Sequence, residues 1–139
     1  MLCYAMYDVM NTEETDTNDD LGKWEIQLRK GSLSLAVLAT LCSGELYGLE
    51  ILRRLEQVAS FIVAEGTIYP LLNRLKMAGF IESEWVEADA GHPRKYFRLT
   101  VSGRRYVIGM SRTWHEFAQG MSRLLAPLEP RVHGKRRAS

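Results

Sequence analysis

Three histidines, two cysteines and one short run of hydroxyl, amide and guanidinium groups are the residues of this 139-residue chain with chemistry to offer. His92 falls in a turn, His115 in a helical stretch and His133 near the C-terminus, with no Cys, His or carboxylate at metal-ligand spacing. His115 and Glu116 are neighbours, and adjacent helical residues point about 100° apart, so they form no dyad. Cys3 and Cys42 lie far apart without a second ligand pair, which argues against a disulfide framework and a zinc site; Cys42 is expected to be a buried small residue. No glycine-rich phosphate loop is present. Enzymatic chemistry is therefore not expected, and no cofactor is.

What remains is binding chemistry, concentrated in "EGTIYPLLNRLKMAGFI", Glu65 to Ile81. Its apolar residues recur at helical spacing although Pro70 lies among them, and a proline inside a helix costs ~3 kcal/mol. With Thr67 as N-cap, Pro70 becomes the third helical residue, where its missing N–H has no partner to lose. Ile68, Leu71, Leu72 and Leu75 then make one narrow apolar face, and Tyr69, Pro70, Asn73, Arg74 and Met77 point elsewhere. Hydroxyls of Thr67 and Tyr69 can bond phosphates; Asn73 can bond adenine edges and Arg74 guanine edges in a major groove. An ordinary solvated helix face would show the same residues.

The next segment narrows that choice. "GHPRKYFRL" sets His92, Arg94 and Lys95 at a hairpin tip, with Tyr96 and Arg98 on one side of the following strand and Phe97 and Leu99 on the other. Such a cationic tip can lie along a phosphate backbone or enter a minor groove. A basic hairpin directly after a short helix with a polar face is far more specific than either alone.

These segments require a scaffold. The length, with 46% hydrophobic and 25% charged residues, suits one globular domain with a modest core. No apolar run approaches the roughly 18 residues that cross a bilayer, and "MLCYAMYDVM" lacks the basic start of a signal peptide, so a cytoplasmic location is expected. The net charge of +1 hides an asymmetry: residues 1 to 20 hold six acidic groups and no Lys or Arg, leaving 18 basic against 11 acidic residues, a net +7, in the remainder. Residues 1–19 are expected to be a disordered acidic extension, either a solubilising leader or an arm that competes with DNA. From Asp20, "DLGKWEIQLRKGSLSLAVLATLCSG" reads as a helix capped by Asp20 and stopped by Gly44, with Trp24, Leu28, Leu35, Leu38 and Leu41 inward and Gly31 as a possible break. "LYGLEILRRLEQV" is a second helix carrying Leu49, Leu52 and Leu55. After the Glu65–Ile81 segment come two strands, "FIESEWVEA" and "RKYFRLT", joined by "DAGHP", then a long helix from Thr100 that Pro127 ends. The order is that of a winged helix-turn-helix over residues 20–100, a mainly α protein with a small β-hairpin, plus one long helix over 101–127. Residues 128–139, with "RVHGKRRAS", are expected to be a disordered basic tail able to touch DNA non-specifically.

The last helix carries an apolar seam. Val107, Met110, Trp114, Phe117, Met121 and Leu124 are spaced 3, 4, 3, 4 and 3, a heptad-type line about 26 Å long. The three-helix body has apolar faces of its own, so the simplest burial of this seam is against a second copy of the chain. A two-fold dimer presents two recognition helices and calls for an inverted-repeat DNA site with half-sites about 34 Å apart or a multiple of that.

Over roughly residues 28 to 126 the sequence resembles the PadR family of bacterial winged-helix transcription regulators. The resemblance is carried by "RKGSLSLAVLATL", "YGLEILRRL", "GTIYPLLNRLKMAGFIES", "GHPRKYFRLT" and "LTVSGRR", and most specifically by Gly66, Thr67, Tyr69 and Pro70. It implies a repressor whose Thr67, Tyr69, Asn73 and Arg74 touch the operator from the recognition helix, and Arg94 and Lys95 from the wing. It also implies a homodimer through the first and last helices. Two positions depart from the family pattern: Leu49 stands where a second aromatic is common, and His92 where arginine is. In the drug-responsive branch a tryptophan at what matches Trp114 stacks on planar aromatic ligands. That implies an effector site at Trp114, Met110 and Phe117, while the residues themselves fit equally a large side chain sealing the dimer. Against the regulator stands a winged helix serving only as a protein-interaction module.

Overall fold

No glycine or proline precedes Gly22, and a helix once nucleated lengthens by one hydrogen bond for each residue it fixes. The computed structural model, which describes the backbone of residues 2–87 and 91–129 and the side chains of 17–87 and 91–129, opens accordingly on one long helix, α1, Leu2–Thr40. The expected helix start at Asp20 is corrected. Asp20 lies inside the helix, where Lys23 pairs with Asp19 at 2.9 Å and reaches Asp20 at 3.9 Å, so one lysine faces both aspartates at the end of the acidic run. Gly31 does not interrupt α1. A 3-10 turn, Leu41–Ser43, ends it before Gly44.

A two-residue strand, β1 (Leu46–Tyr47), leads directly into α2 (Gly48–Ala59). The segment read as helix from Leu46 thus begins two residues later. The reason is the partner: Leu46 and Tyr47 pair with Phe97 and Tyr96, and long-range pairing overrides the local helical pattern. Helix α3 spans Glu65–Met77 and is followed by β2 (Ile81–Glu87) and β3 (Pro93–Leu99), which pair antiparallel from Ile81 opposite Leu99 to Glu87 opposite Pro93. The sheet order is β1-β3-β2. Of the expected turn "DAGHP", Asp89 and Ala90 lie outside the described residues.

Helix α4, Val101–Leu125, ends in a 3-10 turn that contains Pro127. Its start is locked to the body. Thr100 caps it by accepting from the Gly103 N–H at 2.9 Å, and the same hydroxyl donates to the Gly79 carbonyl at 2.7 Å. Gly103 lies so close to the Phe80 carbonyl that a Cβ would overlap the oxygen. One turn on, Tyr106 stacks on Phe80 with ring centroids 4.1 Å apart.

The core joins Val37, Leu38 and Leu41 to Ile51 and Leu55 of α2, Ile68, Leu71, Leu72 and Leu75 of α3, Ile81 and Phe97 of the hairpin, and Val107 of α4. The inward face proposed for the first helix is right at Leu38 and Leu41 and wrong at its N-terminal end: Trp24 is 57% exposed and Leu28 is exposed, because α1 runs past the body there. Cys42, expected buried, is exposed; it sits in the 3-10 turn that follows the last buried turn of α1. No helix among the described residues is long and apolar enough to cross a membrane.

Candidate nucleic-acid interface

The two faces of α3 are sharply divided. Ile68, Leu71, Leu72 and Leu75 are buried, while Thr67, Tyr69, Pro70, Asn73, Arg74 and Met77 are exposed. The local start differs from the expected one. Ala64, in extended conformation, is the N-cap, and its carbonyl accepts from both Thr67 and Ile68 at 3.0 and 3.1 Å. Thr67 is therefore the third helical residue and Pro70 the sixth. The proline leaves the Gly66 carbonyl without its helical donor, but both residues are exposed, so water can serve that oxygen. Glu65 in the first turn suits the positive end of the helix dipole, a signal that competes with the Thr67 cap.

Tyr69 ties α3 to α2. It is 45% exposed, and its ring lies on Gly48, where a Cβ would stand 2.5 Å from the phenol oxygen. Only a residue without a side chain admits that approach. Glu50, in the first turn of α2, accepts from the Tyr47 N–H at 3.4 Å.

The wing continues the same surface. Tyr47 meets Tyr96 edge to face, and the Arg94 guanidinium lies 4.7 Å from the centre of the Tyr47 ring. Tyr69, Gly48, Tyr47 and Arg94 thus form a continuous line from the recognition helix to the wing. Asn73 and Arg74 lie one turn further along α3, on its exposed side.

Arg94 and Lys95 do not form one cationic tip. Both are strand residues of β3, so they point to opposite faces: Arg94 toward Tyr47, Lys95 toward Trp85 and Phe97, 5.8 Å from each ring centre. His92 precedes the strand and is exposed. Arg98, on the same side of β3 as Tyr96, is engaged within the sheet. Its guanidinium meets Glu82 at 2.7 Å, Glu84 at 3.1 Å and Glu45 at 3.8 Å. The hydrogen bond to Glu82, then that to Glu84, holds its pKa above the ordinary arginine value. It neutralises the carboxylates on this face of the wing.

Along α4 the apolar seam divides. Val107 is buried in the chain's own core, which corrects its assignment to a subunit contact. Met110 is half-buried, while Trp114, Phe117, Met121 and Leu124 are exposed, Phe117 at 59%. Between α1 and α4 runs a groove of about 790 Å³ walled by Leu28, Leu35, Tyr106, Met110, Trp114 and Phe117. Trp114 also lines a second hollow, of about 350 Å³, with Phe61 and Ala59.

Sequence reasoning missed Tyr47, Gly48 and Trp85. Gly48 at the head of a helical run was the available signal, since a glycine there leaves room for a side chain of another element, here Tyr69.

A helix-turn-helix made by α2 and α3, flanked by a three-stranded wing and followed by a long helix, defines a winged-helix regulator. The model of the transcriptional regulator PadR-like family matches residues 37–108, and the chain belongs to that family. Its members are transcriptional regulators that bind DNA, not enzymes. Among solved structures, a PadR family regulator from Eggerthella lenta is similar with a TM-score of 0.71 and 31% identity, over 80% of this chain and 96% of that one. A PadR-like transcription factor from Bacteroides fragilis is 35% identical with a TM-score of 0.61, over 73% of this chain and 98% of that one. A transcriptional regulator of Mycobacterium tuberculosis is 28% identical over 93 residues, which cover 67% of this chain and 85% of that protein.

Proposed function

We propose that this regulator is a homodimeric repressor that places α3 in the major groove of each half of an inverted-repeat operator. Thr67 and Tyr69 bond phosphates at the start of α3, Asn73 and Arg74 read base edges, and Arg94 and Lys95 hold the flanking backbone. The observation that carries this reading is the chain of contacts from the exposed Tyr69, over the buried Gly48 and the half-buried Tyr47, to the exposed Arg94, which joins the recognition helix to the wing. The repressing sign follows the family resemblance.

Dimerisation uses Met110, Trp114, Phe117, Met121 and Leu124, with the exposed Trp24 and Leu28 of α1 completing the apolar face. The groove beside Trp114 takes a planar aromatic effector, whose entry changes the spacing of the two recognition helices and releases DNA.

Selection of bound duplexes from a random pool tests the operator reading. Recovered sequences that share an inverted repeat with centres about 34 Å apart, or a multiple of it, support a symmetric dimer on DNA. Recovery without any shared repeat contradicts it. Effector binding is read by quenching of Trp114 fluorescence, which Trp114→Phe must abolish.

A further inference from the structure

The largest apolar side chain on the wing has no role in the line just described. Trp85, on β2, is 65% exposed, and its register partner is Lys95, whose ammonium lies 5.8 Å from the ring centre. Resting on the DNA-binding reading above, we propose that Trp85 is a DNA-contact residue, packing its ring on the sugar edges of the minor groove beside each half-site.

The placement argues for it. Ile81, Ser83 and Trp85 share one face of the hairpin with Phe97 and Lys95. On that face Ile81 and Phe97 are buried in the core with Ile68 and Leu72 of α3, so the face turns toward the recognition helix. Trp85 continues it outward, past the edge of the core, into the space beside α3 that a duplex occupies when α3 enters the major groove. A large aromatic held there by paired strands is rigid, and a solvated position gives it nothing to bury against.

Charge selects the occupant. Lys95 lies over the ring, and His92 and Arg94 flank the same end of the hairpin. On the opposite face Arg98 holds Glu82 and Glu84, which removes the nearest repulsion. Glu87 follows one pleat beyond Trp85 on the same face, so Lys95 is the cation at this position and reaches a phosphate, while Trp85 itself makes the apolar contact. Sugar edges of a minor groove offer such a surface between two rows of phosphates, and apolar side chains on rigid elements use it.

The test is an equilibrium titration of a selected duplex with wild type, Trp85→Ala, Trp85→Phe and Lys95→Ala over a salt series. Trp85→Ala should weaken binding about tenfold with the salt slope unchanged, and Trp85→Phe should retain most of the affinity. Lys95→Ala should lower the slope by about one. The melting temperature of Trp85→Ala should equal that of wild type, which separates a DNA contact from a folding role. Wild-type affinity in Trp85→Ala overturns this assignment alone. A wild type that binds no duplex overturns the DNA reading and this assignment together. Loss of dimer mass in Trp85→Ala makes a second copy the occupant and overturns it too.

Discussion

The phenol of Tyr69 rests on Gly48, with its oxygen 2.5 Å from where a Cβ would stand. That contact joins the recognition helix to the wing, because Tyr47, next to Gly48 in the chain, carries Arg94 on its ring. Gly48→Ala must push Tyr69 aside. The ring is a half-exposed side-chain end and can swing away, so stability should change by less than about 1 kcal/mol, while DNA affinity falls about tenfold. Thermal melts and DNA titrations of the same variant separate the two effects.

Gly103 is the contrasting case. Its neighbour is the Phe80 carbonyl, backbone in a turn already held by Thr100, and it cannot swing. Gly103→Ala should cost about 2 kcal/mol or more, read as a lowered denaturant midpoint. A midpoint equal to wild type would show that α4 is free to move off the body.

Arg98 predicts an effect on binding without direct contact. Arg98→Ala leaves Glu45, Glu82 and Glu84 uncompensated on the wing. DNA binding should weaken most at low salt, where phosphate repulsion is least screened, with little loss of fold because the pairs are exposed. Equal affinity at every salt concentration would place that face of the wing away from DNA.

Phe117→Glu tests the subunit seam. A charge buried in an apolar interface is costly, so the variant should sediment as a monomer with its helical content intact. A dimer of unchanged stability would remove α4 from the interface.

The sequence made legible what depends on local periodicity and strong motifs. The buried face of α3 was readable residue for residue from Ile68 to Leu75, the hairpin strands to within one residue at each end, and the last helix from Thr100, which is its cap. Features set by distant partners were not. Leu46 and Tyr47 look helical until Phe97 and Tyr96 pair with them, and Arg98 looks like a free cation until the fold brings Glu45 beside it. The Thr67 cap failed because a cap residue needs an extended backbone of its own, and here that residue is Ala64 while Thr67 is already helical. Val107 belongs by spacing to the seam and by position to the core, a difference heptad counting cannot see.

The most direct measurement of the central claim is titration of a selected operator duplex and a shuffled control by wild type and Tyr69→Ala over a salt series. The account predicts preference for the operator, steep weakening with salt, and a loss of about tenfold or more in Tyr69→Ala. Equal binding of operator and control, or wild-type affinity in Tyr69→Ala, would contradict it.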